Sequence, residues 1–479
     1  MIKRMRIPTI GIEIHVELKT VTKMFCACPN DPEEKRPNIN VCPICLAHPG
    51  ALPVANRAAI EAVLRVGFAL GGEATLDSHF DRKSYFYPDL PKGFQISQYE
   101  APLIAGGMLK NIRIRRIHLE EDTGRLLHEL PGGKQKKAES LTYVDYNRAG
   151  VPLMELVTEP DVKSAEEAVA FGKELQMIFR YLDVSNADME KGQMRVEANI
   201  SLDMGTKVEV KNINSFRAVF GAIEHEIKRQ NAALDAGEKI IQETRGWDDV
   251  NGVTVSQRSK ESAHDYRYFP EPDLPPLDLR MLDLEHLKSN LPELPDAKRC
   301  RFGEEFGLNK EQTDRLIEDR GAATYFEDAV SELKTRVPGA DLSVLHNYFT
   351  TDLWALLNES GTPFGDLKVT PAHLAQLVAL IADGTLSSRL AKDLLRKMFD
   401  TGTDPEELMR DSGLRLMSDA GELETIVMET ISENPKPAAD YRGGNKNSIQ
   451  FLIGKAMAKT KGQASPGVLK ELFEKTLQS

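Results

Sequence analysis

The segment IGIEIHVEL, residues 10–18, alternates apolar with polar side chains. In an extended chain such alternation places Glu13, His15 and Glu17 on one face and the aliphatic residues on the other. Period two with β-branched residues predicts a half-buried strand that presents two carboxylates and an imidazole above a sheet. The same pattern recurs in NIRIRRIHLEED (111–122) and MRVEANISL (194–202), so residues from about 7 to 159 and the stretch near 200 read as largely strand-like.

Working outward, helices interrupt these strands. One is expected over 56–70. A second starts at Ser164, with Glu167 three residues on as a capping box, and runs to about Leu182. A third runs from Phe216 to about Leu234. The prolines of PEPDLPPLDL and LPELP, within 270–295, mark a boundary. Beyond it helical patterns cover 309–319, 341–358, 370–383 and 386–399, and Asp404, Pro405 and Glu407 signal another helix start. The expected class is α+β: a β-rich domain over 1–295, an all-α helical domain over 296–403 and a small α-helical tail domain over 404–479.

At 41% hydrophobic, the 479-residue chain can bury real cores. A formal net charge of −12 argues against coating nucleic acid by bulk electrostatics, but leaves room for a local basic face. Residues 440–479 are such a place, with seven Lys and Arg against three Asp and Glu. The N-terminus has no signal-peptide core and no run of 18 apolar residues occurs, so a cytoplasmic protein is expected. The glycine patterns of P-loops, Rossmann folds and nucleophile elbows are missing, so ATP, if used, is not bound by a P-loop.

Five groupings carry candidate chemistry. Glu13, His15 and Glu17 suit Mg²⁺ or Mn²⁺, although E-x-H-x-E by itself is more often a solvated strand face. His118, Glu120, Glu121 and Asp122 repel one another unless a cation or solvent offsets them. The loop DRKSYFYPDLPKGFQISQ (81–98) sets Arg82, Lys83 and Lys92 among Tyr85, Phe86 and Tyr87, which suits a phosphate or nucleotide and equally a structural plug. Arg195, Glu197, Glu209 and Lys211 alternate on strands, where a cross-strand ion pair is the plain alternative. Cys26, Cys28, Cys42 and Cys45 form two close pairs that fit a closed, structural Zn²⁺ site, while Cys300 stands alone and reads as a buried thiol.

Taken in order, GIEIHVEL, the 81–98 loop, HLEEDTGR, YNRAGVPLMELVTEPD, MRVEANIS, KNINSF and DYRYFPEPDLPPL resemble the GatB family, the B subunits of aspartyl/glutamyl-tRNA amidotransferases. ELPDAKRCRF and KGQASPGVLKELF extend the likeness over nearly the whole chain, and the insert at 26–45 looks like the zinc-bearing version of the family. The resemblance implies a catalytic cradle in 1–295 and a YqeY-like, tRNA-binding tail. It implies ATP-dependent phosphorylation of Glu on tRNA(Gln), or Asp on tRNA(Asn), and then amidation. The ammonia comes from a GatA amidase subunit, and a GatC subunit completes the complex. On this footing Glu13, His15 and Glu121 are the expected Mg²⁺ ligands, with Glu120 and Glu197 as further candidates. Lys83, Tyr85 and Lys211, with Arg82, are expected at ATP phosphates or the aminoacyl end. Lys446, Lys455, Lys459 and Lys461 are expected at the tRNA. The competing reading is a non-catalytic, zinc-stabilised tRNA-binding scaffold.

Overall fold

In the first unit of the chain, Met1–Pro295, the strands are β1 (Pro8–Glu17), β2 (Asp81–Ser84), β3 (Phe94–Ser97), β4 (Ile112–Glu121), β5 (Pro152–Thr158), β6 (Met194–Leu202), β7 (Val208–Ile213), β8 (Glu243–Asp248) and β9 (Val253–Ser259). The computed structural model describes residues 6–127, 142–259, 266–362, 364–412, 420–460, 464 and 466–478. A mixed sheet runs β9-β8-β7-β6-β1-β5-β4 and continues past β4 in shorter strands. Only β7 and β8 run parallel among these neighbours. The hairpin β2–β3 stands apart from the main sheet and packs beside the end of β4.

Strand β1 is central because one of its faces is wholly aliphatic. Ile10, Ile12, Ile14 and Val16 are buried with the inward faces of α1 (Arg57–Ala69), α2 (Ala165–Tyr181) and α3 (Phe216–Asp235). A one-residue slip of register would bring all four to the other face, at about 1.5–3 kcal/mol for each side chain lost from the core. The register that the core fixes therefore also fixes what lies side by side on the polar face. The helix starts follow the capping chemistry: Asn56, Ser164 and Ser215 accept from backbone N–H groups of the first turns of α1, α2 and α3. At α2 the return arm of the expected capping box differs, since Glu167 accepts from the N–H of Lys163 and not that of Ser164.

The second unit, Asp296–Ser479, is helical, as expected. One apolar cluster spans Phe302 to Met409 and another Leu423 to Leu477. The longest helix among the described residues of this unit, α4 (Arg320–Arg336), escaped the sequence reading. Its buried face is Ala322, Ala323, Tyr325, Phe326, Ala329, Val330 and Leu333, which has helical spacing but is diluted by three small alanines. The expected 341–358 helix is present with a wide π-type turn over Tyr348–Leu353. Cys300 is exposed rather than buried, because it lies on the outward side of the helix Pro295–Phe306. Among the described residues no helix is long and apolar enough to cross a membrane.

Candidate functional site

The register of the central strands builds the site. His15 is paired with Arg195 on β6 and with Glu155 on β5, and Glu155 is in turn paired with His118 on β4. Two positions back along β1, Glu13 faces Glu197. These side chains share the polar face, because residues paired across a sheet point the same way. His15 Nε2 lies 3.4 Å from Glu155, 3.6 Å from Glu120 and 4.0 Å from Glu13. His118 Nε2 lies 3.2 Å from Glu155. Two overlapping sets of potential ligands result, Glu13–His15–Glu155 and His118–Glu120–Glu155, each with its donor atoms within 4.8 Å.

The electrostatics mark a site with too much negative charge for its burial. Burial, with the charges of Glu155 and Glu197, pushes the Glu13 carboxyl up to about 7. Burial works to lower the His15 imidazole. The hydrogen bond to Glu155 and the charges of Glu155, Glu120 and Glu197 overcome it and raise the group to about 10. Burial also opposes ionisation of Glu155, but His118 and His15 hold its carboxyl well below the usual range. The Nδ1 of His118 is buried without a hydrogen-bond partner. A divalent cation fits this donor set of carboxylates and imidazoles, which it would relieve of repulsion.

Around the cluster stand several of the other candidates. Lys83 reaches in from β2, its ammonium 5.2 Å from the ring centre of Tyr266. Burial would lower Lys83, yet the charge of Glu120 leads the opposing effects and raises it. Tyr85 donates to Gln95 at 3.4 Å and packs edge-on to Tyr266, and Tyr266 meets Tyr268. Lys211 lies 2.8 Å from Glu197 and 3.5 Å from Glu209, so the cross-strand ion pair exists and borders the cluster through Glu197.

Two expected residues are placed elsewhere. Glu121 follows Glu120 and so points to the opposite face of β4. There it accepts from Lys92 at 2.7 Å and from the N–H of Ile96 at 3.0 Å. It is not within reach of the Glu13–His15 ligand set. Arg82 likewise alternates away from Lys83. Its guanidinium is clamped by Glu271 through bonds of 2.7 and 2.9 Å, and by Asp273 at 3.1 Å. Arg82 and Glu121 instead line a separate cavity of about 260 Å³ beside Cys26 and Cys45. The residue that sequence reasoning missed is Glu155. Its signal was a lone carboxylate in PLMELVT, a strand otherwise too apolar to face solvent on either side.

The four cysteines come together. All four Sγ atoms lie within 4.8 Å of one another, and Cys42 and Cys45 are 3.8 Å apart, the sulfur spacing of about 3.8 Å implied by four Zn–S bonds of about 2.3 Å in a tetrahedron. Hydrogen bonds from Cys26 and the Cys42 amide, with the nearby charge of Lys23, bring Cys45 down to about 5. Lys23 is fully buried and donates to the carbonyls of Asn40 and Tyr146. Asn147 accepts from the N–H groups of Ile39 and Asn40. The cysteine insert is thereby tied to the segment that leads into β5.

In the tail, the basic face is smaller than the 440–479 window suggests. Lys459 donates to Glu433 at 2.7 Å and to Glu429 at 3.2 Å, and Lys475 lies 3.6 Å from Glu424. These acids sit on the helix Ala420–Glu433, outside the window. Over 420–479 eight Lys and Arg meet seven Asp and Glu. Lys446 is exposed, and the exposed Lys455 rests over the Phe451 ring at 5.4 Å. Lys461 lies outside the described residues.

Comparison with known proteins gives the same family over both units. Residues 8–284 match the model of the GatB/GatE catalytic domain, and 324–477 match that of the GatB (YqeY) domain. Curated relatives include the B subunit of an aspartyl/glutamyl-tRNA(Asn/Gln) amidotransferase from Thermomicrobium roseum, 46% identical over 98% of each chain. Proteins of the same description from Brevibacillus brevis, 42% identical over 98% of each chain, and Thermotoga maritima, 44% identical over 98% of this chain and 99% of its own, also match.

Proposed function

The chain belongs to the GatB family, the B subunits of aspartyl/glutamyl-tRNA(Asn/Gln) amidotransferases, and from that premise we propose that the Glu13–His15–Glu155 face binds Mg²⁺ and is where the aminoacyl carboxylate is phosphorylated. The GatB component of this ATP-using, glutamine-dependent ligase works with partner subunits on tRNA. We assign GatA as the source of ammonia and GatC as the third component, acting on Glu-tRNA(Gln), Asp-tRNA(Asn) or both.

A carboxylate is a poor electrophile for ammonia. An oxygen of the substrate carboxylate forms a bond to the γ-phosphorus of ATP while the bond to ADP breaks, its electron pair leaving on ADP. Ammonia then attacks the acyl carbon, phosphate departs, and the amide results. Positioning and charge neutralisation supply most of the catalysis of phosphoryl transfer. When bound, Mg²⁺ would neutralise the charge that develops on the phosphoryl oxygens. Glu13, His15 and Glu155 are its holders. His118 fixes the Glu155 carboxylate from its other side, and Glu120 lies beside His15. Lys83 and Tyr85 face the same space and hold the amino-acid carboxylate, and Lys211 keeps Glu197 paired at the far side. Cys26, Cys28, Cys42 and Cys45 hold a structural zinc. Lys446 and Lys455 contact the tRNA body, and residues 404–479 serve as the tRNA-binding part.

The observation that carries this reading is the meeting of Glu13, His15 and Glu155 from strands far apart in sequence. The test is tRNA-dependent ATP hydrolysis by the reconstituted complex carrying Glu155→Gln. The expected rate falls at least about 100-fold, near 2.7 kcal/mol of barrier, while the tRNA still binds. A wild-type rate would sink the metal assignment.

A further inference from the structure

Lys23 is fully buried, and the reaction described above makes no use of it. Its ammonium donates to the carbonyls of Asn40 at 2.7 Å and Tyr146 at 3.2 Å, but has no carboxylate partner among the described residues. Neutral carbonyls satisfy hydrogen bonds without cancelling a charge, and a buried charge left uncancelled is costly. The buried carboxylate of the neighbouring segment, Asp145, is taken up by the N–H groups of Asn38 and Asn147. The counter-charge comes from another source.

The cysteines can supply it. The side chains of Lys23 and Cys45 flank Gly150: a Cβ added there would lie 3.6 Å from Cδ of Lys23 and 3.7 Å from Cβ of Cys45. From that position the Lys23 charge acts on the Cys45 sulfur, beside the hydrogen bonds from Cys26 and the Cys42 amide. A Zn²⁺ ion cancels only half the charge of four thiolates, so a closed Cys₄ site keeps an excess of about two negative charges. Arg82 and Lys92 line the cavity beside Cys26 and Cys45, but each is already paired, with Glu271 and Glu121. Of these three cations only Lys23 has no carboxylate.

We propose that Lys23 is the counter-ion of the zinc–thiolate centre, and that ammonium and metal together brace the segment 145–150 that leads into β5. The proposal rests on the zinc reading above. The bracing follows from where the same residue is tied. Its side chain holds the Tyr146 carbonyl, its own N–H bonds the Cys28 carbonyl at 3.0 Å, and the N–H of the next residue, Met24, bonds the Gly150 carbonyl at 2.7 Å.

The experiment uses the complete complex with Lys23→Met, which removes charge and donors, and Lys23→Gln, which keeps a donor without the charge. Metal affinity is read by Co²⁺ titration, through the thiolate-to-metal charge-transfer absorption, and by Zn²⁺ competition. Thermal unfolding is followed with zinc bound and after chelation. Both variants are expected to bind Co²⁺ and Zn²⁺ roughly ten- to a hundred-fold more weakly, and to unfold at a lower temperature than wild type with zinc bound but not after chelation. Amide hydrogen exchange over 145–150 should quicken when the wild type is chelated; unchanged exchange overturns the bracing. Wild-type metal affinity in both variants, affinity lost in Lys23→Met but restored in Lys23→Gln, or an equal fall in unfolding temperature with and without zinc makes Lys23 a hydrogen-bond donor only and overturns the counter-ion role. Failure of both variants to fold in excess zinc overturns it as well. A wild-type complex that takes up neither Co²⁺ nor Zn²⁺ at the cysteines overturns the zinc reading itself.

Discussion

The polar face of the central sheet and the helical tail treat charge in opposite ways. On the sheet, three strands from distant parts of the chain bring carboxylates and histidines together where water is scarce, and nothing in the fold neutralises them fully. In the tail, cations that look unbalanced along the chain meet acids from the neighbouring helix Ala420–Glu433. Uncompensated buried charge marks a place for a ligand, whereas compensated surface charge marks ordinary folding. The number of charges in a window of sequence distinguishes neither.

The contrast breaks most visibly at His15. Its replacement by Ala should lower tRNA-dependent ATP hydrolysis by about 100-fold or more, measured with the tRNA saturating. An unchanged rate would make the sheet face as inert as the tail. The cysteine cluster sits between the two extremes, since its ligands are close in sequence and need no distant strand. The Cys42→Ser variant should lose its zinc, about one per chain in the wild type by metal analysis, and unfold at a lower temperature.

The tail should answer through affinity rather than rate. Removing residues 420–479, which have their own apolar cluster, is expected to raise the KM for tRNA while basal ATP hydrolysis persists. Within the tail, Lys446→Ala and Lys455→Ala should each reduce the salt dependence of tRNA binding by about one in the log–log slope. Lys459→Ala should do less to tRNA, because that ammonium is already held by Glu429 and Glu433, and should lower stability only slightly in chemical denaturation.

Much of this was legible in the sequence for physical reasons that differ by element. The strand Met194–Leu202 appears just where the alternation places it, and Ser164 caps the helix that follows it, because both signals act within a few residues. The cysteine cluster was legible because its ligands are near neighbours in sequence. Glu155 was not. Alternation gives the face of each residue on its own strand but not which strand lies alongside, and β1 neighbours strands more than a hundred residues away. Glu121 stands ahead of Glu120 in the expected ligand set only through the resemblance; consecutive residues of a strand point to opposite faces, and it is Glu120 that shares the face of His118.

The most direct test of the central claim, that Glu155 rather than Glu121 completes the metal site, is Mn²⁺ binding followed by electron paramagnetic resonance on the wild-type complex and on Glu155→Gln and Glu121→Gln. The expected result is loss of the bound-ion signal in Glu155→Gln and its retention in Glu121→Gln. Retention in Glu155→Gln with loss in Glu121→Gln would contradict it.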